Sequence, residues 1–446
     1  MDQIGNGHSR KDFLKQLALG GAGLTLGLSA KSYGNIIGAN EQLNFAVAGL
    51  NGRGKALMRA IRDTPNANLA YLCDVDSRVL EEAANMAKSD FGVNPKTEED
   101  IRKLLEQDDL DALAISTPDH WHAPMTLMAV DAGKHVYVEK PCSHNPREGE
   151  LLVESQQKHG NIVIQMGNQQ RSAPTSIQAI QDIQKGLIGE PYFGKAWYSN
   201  SRGPIGSAAN TPVPDWLNWE LWQGPAPREA FEDLWVHYNW HWNWNWGTGE
   251  INNNGTHEID ICRWALGVDY PTRVTSSGGR YHYNDAWEFY DTQVTNYEFE
   301  DDKIITWEGK SCNPFEYHDR GRGATIHGTK GTVLVDRNAY YAWDLDGNQI
   351  KEMQEEEKSA TTNTVGAGNL DVLHMNNFVE AIRTGAEQHS PIDEGHKSNL
   401  LCHLGNIAQE NGGSIQTDPR NGKIVGNSQA MKMWSREYAA GWKPQV

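Results

Sequence analysis

A histidine and a carboxylate follow a run of tryptophans near the middle of the chain. The stretch NWHWNWNWGTGEINNNGTHEID, residues 239–260, contains both His257 and Asp260. Its tryptophans occupy every second position: Trp240, Trp242, Trp244 and Trp246. Histidine changes charge near neutral pH, so His257 could take the proton of a hydroxyl group. Asp260, about one helical turn later, could orient the imidazole or bind a sugar hydroxyl.

The alternating tryptophans predict a β-strand, because successive side chains in a strand point to opposite faces. Indole rings pack well on the apolar C–H faces of sugars, while histidine and asparagine supply directional hydrogen bonds. The alternative is simple core packing. We expect some of the four indoles in the core and one or two at a cleft. The candidate substrate contacts in this region are Trp240, His241, Trp244 and Asn253.

A lysine ends another apolar stretch, KHVYVEKP, residues 134–141. Lys140 carries a compact ammonium group whose pKa depends strongly on its surroundings, so it could stabilise a developing alkoxide. The structural alternatives remain open. Lys140 could be a surface lysine at a strand end, and His257 could be a core histidine or a helix cap.

A glycine-containing turn follows the apolar run that ends near Val47 and precedes a helical pattern. Backbone N–H groups at such a helix N-terminus bind pyrophosphate, and glycine lets the backbone approach it. The pattern departs from G-x-G-x-x-G, because asparagine takes the middle position and an extra glycine follows. The turn residues expected at the cofactor are Gly49, Asn51, Gly52, Arg53 and Gly54.

An aspartate, Asp74, follows the second predicted strand at the distance expected for a contact with the ribose hydroxyls of a dinucleotide. Its carboxylate would repel a 2′-phosphate, so NAD is favoured over NADP. Arg53 and Arg78 could weaken that preference.

The elements around these residues define two domains. Strands alternate with helical stretches in residues 41–166, which predicts a doubly wound parallel sheet. Residues 167–446 contain a succession of strands with turn signals, which predicts a large, mostly antiparallel sheet with helices on one face. Residues 351–369 are polar and predict an exposed loop. The fold class is therefore α/β in the first domain and α+β in the second.

The order of these motifs resembles the Gfo/Idh/MocA oxidoreductases. Glu139, Lys140 and Pro141 match the family's Glu-Lys-Pro motif, whose lysine lies at the reaction centre. A second motif, Thr-Pro-Asn-x-x-His, is matched with one change by Thr117, Pro118, Asp119 and His122. A third, Gly-x-His-x-x-Asp, is matched by Gly255, His257 and Asp260. Many members carry aspartate four residues before the histidine, where this chain has Asn253.

The resemblance implies a Rossmann domain that binds NAD(P), an α+β domain with an open-faced sheet that makes subunit contacts, and a catalytic set of Lys140, His257 and Asp260. It adds cofactor contacts from Thr117, Pro118, His122, Glu139 and Lys140, and substrate contacts from Asn168 and Arg171. His122 could instead cap its helix, and Glu139 could anchor the strand end.

The leading functional hypothesis is an NAD(P)-dependent oxidoreductase that acts on a secondary alcohol of a carbohydrate or polyol, with tightly bound cofactor and a role in saccharide catabolism. The first alternative is a redox-assisted glycosidase or lyase. The second is a non-catalytic sensor that binds a sugar or nucleotide. The presence of both Lys140 and His257 argues against the sensor.

The N-terminus and the composition limit location and partners. Residues 1–40 have the layout of an export leader. The leader resembles a twin-arginine (Tat) signal of a periplasmic protein, although Lys11 replaces the second arginine; a cytoplasmic protein with an amphipathic N-terminal helix is the alternative. The net charge of −18 disfavours nucleic acid and anionic membranes, and no stretch approaches a membrane span. The five cysteines lack zinc-ligand spacing, so no metal site is expected. We expect a homo-oligomer that binds a small molecule or an oligosaccharide.

Overall fold

The computed structural model describes residues 42–355 and 368–446. The leader at residues 1–40 and residues 356–367 of the predicted loop lie outside this part of the chain. Within the described residues, no helix is long and apolar enough to cross a membrane.

The first domain contains a six-stranded parallel sheet. Its strands are β1 Leu43–Ala48, β2 Ala67–Cys73, β3 Lys96–Glu98, β4 Ala112–Ile115, β5 His135–Glu139 and β6 Ile164–Gly167. They lie in the order β3-β2-β1-β4-β5-β6, so the chain changes direction across the sheet between β1 and β4. The connecting helices are α1 Arg53–Asp63, α2 Ser77–Met86, α3 Ile101–Leu104, α4 Asp119–Asp131 and α5 Pro146–Lys158. The predicted doubly wound sheet is confirmed.

The strands of this sheet are apolar because helices cover both of its faces. In β1 every residue except Asn44 is buried. Helix α2 begins cleanly at Ser77, because the Asp76 side chain accepts hydrogen bonds from the backbone N–H groups of Arg78 and Val79. The carboxyl ends of β1, β2, β4 and β5 therefore meet at one edge, where ligands bind in such sheets.

The second domain contains a ten-stranded sheet that is antiparallel except where β7 pairs with β10. Its strands are β7 Pro191–Ser199, β8 Arg273–Gly279, β9 Thr292–Glu298, β10 Ile304–Lys310, β11 Arg322–Gly328, β12 Gly331–Val335, β13 Ala339–Asp344, β14 Gln349–Gln354, β15 Ser414–Thr417 and β16 Ile424–Val425. The order is β14-β13-β12-β11-β7-β10-β9-β8-β15-β16. This confirms the predicted sheet.

Helices cover one face of this sheet. The helices outside the first domain are α6 Pro174–Gln184, α7 Trp219–Gln223, α8 Thr256–Leu266, α9 Asn369–Thr384 and α10 Ile392–Glu410. Helix α8 packs against β7 and β11, and α10 packs against β8. Their apolar side chains form one core with the inner face of the sheet. On the sheet itself, Val294 and Ile304 remain exposed.

The shorter helical segments connect the larger elements. Two are π-helical, Ala87–Phe91 and Ile251–Gly255. The others are 3-10 helices at Gln169–Ser172, Asn239–Trp242, Glu300–Asp302 and Ala430–Trp434. The loop predicted at residues 351–369 is wrong at its start, because residues 351–354 complete strand β14 against β13. Strand β14 lies at the edge of the sheet, and five of its six residues are exposed. Its composition is therefore as polar as that of a loop.

The strand predicted at Trp240–Trp246 is also wrong. This stretch starts with the 3-10 helix Asn239–Trp242 and continues as turns. Four large indoles do not share one face here, because they fill different sites. Trp246 packs with Trp219 and Trp222, and Trp242 stacks on Trp287. Residues 216–246, here termed the Trp-rich segment, thus contribute to two small cores, one of which also contains Trp287 and Phe289.

Candidate active site

A cavity of about 280 Å³ lies where the carboxyl edge of the parallel sheet faces the second domain. The first domain contributes the glycine turn, Asp74, the residues after β4, and Glu139 with Lys140. The second domain contributes Asn253, His257 and Arg337, and the Trp-rich segment contributes Trp240 and His241. The fold therefore brings the two principal candidate catalytic residues, Lys140 and His257, to one cavity.

The glycine turn has the geometry of a dinucleotide cradle. Gly49 has a φ of +81°, and a Cβ there would lie 2.6 Å from the backbone nitrogen of Thr117. A Cβ on Gly54 would lie 2.0 Å from the Gly49 carbonyl oxygen. Helix α1 begins directly after this turn, and neither a side-chain cap nor an acidic residue occupies its N-terminus. The positive end of the helix is thus left for an anion, which is what a pyrophosphate requires.

Asp74 lines the same cavity from the end of β2. Its carboxylate accepts hydrogen bonds from the backbone N–H of Leu50 at 2.7 Å and of Asp76 at 2.9 Å. Burial raises the pKa of Asp74, and these two bonds oppose that shift. The carboxylate is therefore held in place at the position where ribose hydroxyls are expected.

Two arginines predicted at the cofactor have other partners. Arg78 pairs with Asp76 at 2.9 Å and covers the ring of Trp216, and it does not line the cavity. Arg53 does line the cavity, but its guanidinium binds Glu139 at 2.8 Å and Asp371 at 2.6 Å. Each guanidinium is thus already paired with a carboxylate, and the suggestion that they weaken the preference for NAD stays a prediction.

The residues after β4 form the floor of the cavity beside the glycine turn. Thr117, Pro118, Asp119 and His122 all line it. The two ring nitrogens of His122 lie 2.6 Å from the Pro141 carbonyl oxygen and 2.7 Å from that of Thr117. A neutral imidazole carries one N–H and donates to one of these carbonyl oxygens, and burial lowers the pKa of His122. The ring therefore braces the loop between Thr117 and Pro141. The buried hydroxyl of Thr117 has no partner within the described residues and is left for a ligand.

Lys140 follows β5 and reaches across to the second domain. Its ammonium donates to the Asn253 backbone carbonyl at 2.6 Å and to the Asn253 side-chain oxygen at 3.1 Å. Burial lowers the pKa of Lys140 to about 8, although the charges of Glu139 and Asp119 act in the opposite direction. The group is therefore cationic at neutral pH but close to losing its proton. Glu139 itself accepts from Arg53 and Gln169 and anchors the strand end.

The π-helical turn Ile251–Gly255 leads into α8 and carries Asn253. Such single turns are uncommon and are frequent at functional sites. Here the turn directs both oxygens of Asn253 to Lys140. Asparagine suits this position, since a neutral acceptor holds the ammonium without pairing its charge. Sequence reasoning predicted Asn253 as a substrate contact and missed its bond to Lys140.

His257 is the second residue of the buried helix α8 and lines the cavity. Its Nδ1 is 2.9 Å from the Asn168 side-chain oxygen. Because that oxygen only accepts, Nδ1 carries the proton and Nε2 is left as an acceptor. Burial, and after it the positive charge of Arg337, lowers the pKa of His257 well below its ordinary value. The imidazole is therefore neutral and able to accept a proton.

The predicted roles of Asp260 and Arg171 are contradicted. Asp260 is 1% exposed and accepts from Arg171 at 2.8 and 2.9 Å and from the Ser398 hydroxyl at 2.5 Å. Neither Asp260 nor Arg171 lines the cavity. The carboxylate of Asp260 is thus bound by Arg171 and Ser398, and the ring of His257 is oriented by Asn168 instead. The two residues form an ion pair that supports the helix.

The Trp-rich segment divides its aromatic residues between core and cavity. Trp240 lines the cavity and stacks on His241, with ring centroids 3.6 Å apart. Trp242 and Trp246 are buried in the two small cores. Trp244 packs on Phe289 and does not line the main cavity, which corrects its predicted substrate contact.

Sequence reasoning missed several residues of the cavity wall. Arg337, Gln169, Gln170 and Asp371 all line it. Arg337 lies between β12 and β13, where only the pairing of those strands shows that the connection faces the cavity. His237 and Tyr238 of the Trp-rich segment also line it. Among the described residues, no group of three or more histidine, cysteine or acidic side chains could hold a metal ion.

Comparison with known proteins gives matches over both domains. Residues 43–167 match the family described as "Oxidoreductase family, NAD-binding Rossmann fold". Residues 191–444 match the family described as "Oxidoreductase family, C-terminal alpha/beta domain". Together they include the glycine turn, Lys140 and His257.

Individual relatives are more distant. A glycosyl hydrolase family 109 protein of Saccharopolyspora erythraea is 29% identical over 214 residues, or 43% of this chain and 46% of that protein. The chain thus matches about half the length of this relative. The scyllo-inositol 2-dehydrogenase (NAD+) of Bacillus subtilis is 25% identical over 299 residues, or 66% of this chain and 74% of that protein. A solved levoglucosan dehydrogenase in complex with NADH shares the fold, with a TM-score of 0.65 and 18% identity over 84% of this chain and 99% of that one.

Proposed function

The chain belongs to the Gfo/Idh/MocA oxidoreductase family, and on that premise we propose that it is an NAD-dependent oxidoreductase acting on a secondary alcohol of a carbohydrate or polyol. One observation carries the proposal. Lys140 from the first domain and His257 from the second line the same cavity as the glycine turn. A proton acceptor, a cation for the alkoxide and a dinucleotide cradle are the parts that alcohol oxidation requires.

The residues present fit a dinucleotide. The glycine turn and the N-terminus of α1 would hold the pyrophosphate, and Asp74 would accept from a ribose hydroxyl. NAD, when bound, accepts or returns the hydride of the reacting carbon. Because Arg53 and Arg78 are paired with carboxylates, the protein offers Asp74 as the charged group at the ribose, which favours NAD over NADP.

The chain's own groups would act on the hydroxyl. Nε2 of His257 would accept its proton, because Asn168 fixes the proton of the ring on Nδ1. The Lys140 ammonium, held by Asn253, would stabilise negative charge on the oxygen as the proton leaves. Trp240 would offer an apolar surface to the sugar ring beside these two groups.

We also propose that the cofactor is tightly held. The Trp-rich segment contributes cavity residues Leu221, Trp222, His237, Tyr238, Trp240 and His241. It is tied to the end of β2 by the bond between His237 and Asp76 at 2.7 Å and by backbone bonds to Val75 and Ser77. A dinucleotide in the cradle would therefore lie beneath this segment.

The experiment has two parts. The purified protein is denatured and its released small molecules are identified by mass spectrometry, and NAD is the expected one. The loaded protein is then screened with hexoses, uronates and inositols for NADH absorbance. Replacing Lys140 with methionine should abolish turnover of a responsive substrate while NAD remains bound. Unchanged turnover in Lys140→Met would show that the catalytic assignment is wrong.

A second candidate function is a redox-assisted glycosidase, in which transient oxidation of a sugar labilises a neighbouring bond. The similarity to glycosyl hydrolase family 109 proteins favours it. The same cavity would serve both reactions. Release of an aglycone with no net change in NAD would identify the glycosidase, and net NADH formation would identify the dehydrogenase.

Location, assembly and pathway are further proposals. The leader of residues 1–40 supports export to the periplasm, where free NAD is scarce and a retained cofactor would be recycled in place. The partly exposed face of the ten-stranded sheet supports a homo-oligomer. A role in saccharide catabolism agrees with a sugar-oxidising activity.

A further inference from the structure

We propose that Arg337 forms a subsite for a negatively charged group of the substrate, so that the preferred substrate is a sugar acid. This inference rests on the proposed function, because it names the substrate class of the same cavity. Arg337 lies in the connection between β12 and β13 and lines the cavity together with His257 and Gln170.

Arg337 is a buried cation without a direct partner. Its exposed fraction is 8%. Neither a hydrogen bond nor an ion pair joins its guanidinium to any residue within 42–355 or 368–446. Burying an unpaired charge is costly, and proteins normally satisfy the five N–H donors of a buried arginine. Because Arg337 lines the cavity, its open donors can bind an anionic group of a ligand.

The nearby carboxylates are already used by other arginines. Glu258 accepts from Arg322 at 2.7 and 3.0 Å. Asp371 accepts from Arg53 at 2.6 and 3.0 Å. Each of these acids thus faces a cation of its own. Arg337 is a further cation beside these two ion pairs, and neither carboxylate is left to pair with it.

The charge of Arg337 acts on the catalytic end of the cavity. Burial, followed by the charge of Arg322, lowers the pKa of Arg337 to about 9, while the charges of Glu258 and Asp371 act in the opposite direction. After burial, Arg337 is the largest influence that lowers the pKa of His257. An anion bound at Arg337 would therefore lie near the histidine that takes the substrate proton.

The geometry of a guanidinium selects the ligand. Arginine binds a carboxylate or phosphate with two parallel hydrogen bonds, which gives orientation as well as affinity. A carboxylate on the substrate would fix which hydroxyl faces His257. The pyrophosphate of the dinucleotide is the other source of the same chemistry, and the experiment separates the two.

The experiment compares matched acid and neutral sugars on the NAD-loaded protein. The probes are D-glucuronate with D-glucose, D-galacturonate with D-galactose, and D-gluconate with D-glucitol. Binding is measured by calorimetry and by the shift of the thermal unfolding midpoint. We expect one or more acids to bind about 10- to 100-fold more tightly than the neutral partner. Arg337→Met should remove this preference, and Arg337→Lys should keep part of it.

A stability measurement checks the variants independently. Arg337→Met should unfold at the same temperature as the parent protein or higher, because it removes an unpaired buried charge. Arg322→Met is the matched control and should unfold at a lower temperature, because it leaves Glu258 buried without its partner. A lower midpoint for Arg337→Met would show that the arginine has a structural partner and would overturn the proposal.

The remaining outcomes also decide the matter. Equal binding of acids and neutral sugars, or a preference that survives in Arg337→Met, would refute the subsite. A loss of NAD affinity in Arg337→Met without a change in acid preference would assign the arginine to the pyrophosphate. Binding of an acid that is never oxidised, in the parent protein as in Lys140→Met, would instead count against the proposed function and leave the subsite intact.

Discussion

The two walls of the cavity differ in how several of their ionisable side chains are partnered. On the first-domain wall, Asp74 is held by backbone N–H groups, Arg53 is held by two carboxylates, and the His122 ring lies between two carbonyl oxygens. On the second-domain wall, Nε2 of His257 and the guanidinium of Arg337 have no such partners within the described residues.

The difference matches what each wall has to bind. A dinucleotide is the same in every cycle, so its cradle can be fixed by the protein's own hydrogen bonds. A substrate arrives and leaves, and its hydroxyl and charged groups must find open donors and acceptors. We infer that the first wall is a preformed cofactor site and that the second wall keeps open groups for the substrate. Those open groups lower the folding stability of the second wall.

The strongest test of this contrast is the removal of the open imidazole nitrogen. His257→Gln should lower kcat by about 10²- to 10⁴-fold, which is the usual contribution of a general base. Folding stability and NAD binding should change little, because the side chain has a single hydrogen bond to the described residues, the one to Asn168. Steady-state kinetics and calorimetry measure the three quantities. His327→Gln, on the sheet outside the cavity, is the control. If His257→Gln lost folding stability to the same extent as activity, the contrast between the two walls would be contradicted.

A substitution on the first wall should have the opposite result. Arg53→Met would leave Glu139 and Asp371 buried without their cation, so we expect a loss of about 3–5 kcal/mol in the free energy of unfolding. Urea unfolding measures this loss. Arg62→Met, which removes an ion pair with Asp63 at the surface, should cost about 1 kcal/mol or less. Equal effects of the two variants would show that the wall is not held by its ion pairs.

Cofactor choice should depend on the single carboxylate at the ribose. Asp74→Asn should weaken NAD binding by about 10- to 100-fold, since a hydrogen bond to a charged group is lost. NADP binding should weaken less, because the variant no longer repels a 2′-phosphate. Titration of the cofactor-free protein with both dinucleotides measures the ratio. A ratio that stays the same would assign the preference to another group.

The pH dependence sharpens the role of the lysine that joins the walls. Lys140 has a pKa of about 8, below its ordinary value, so its ammonium is present below that pH and is lost above it. If the ammonium stabilises the alkoxide, kcat should fall by about tenfold for each pH unit above 8. A pH–rate profile measures this slope. A rate that rises through pH 8 would make Lys140 the base instead.

Much of the fold was predictable because its signals are local. Short apolar runs mark the strands β1, β2, β4 and β5, and glycines close together in sequence mark the turn after β1. Lys140 and His257 could be named as candidates because their motifs are short. That they line one cavity depends on how the domains pack, which no local pattern contains.

The wrong predictions share a physical cause. Alternating indoles predicted a strand, but Trp242 and Trp246 each found a different core. Asp260 lies about one helical turn after His257, yet its carboxylate accepts hydrogen bonds from Arg171 and Ser398, which belong to other segments. Arg337 was missed because its environment is made by residues far from it in the chain. Partners distant in sequence decide each of these cases.

The bond between His237 and Asp76 has a consequence for the timing of catalysis. It ties the Trp-rich segment to the end of β2, next to the aspartate expected at the ribose, so a dinucleotide bound as proposed would leave only when this bond opens. Oxidised and reduced forms would then alternate on one enzyme molecule without release. Two substrates would have to take turns in the cavity, and initial-rate plots at several fixed concentrations of the second would give parallel lines.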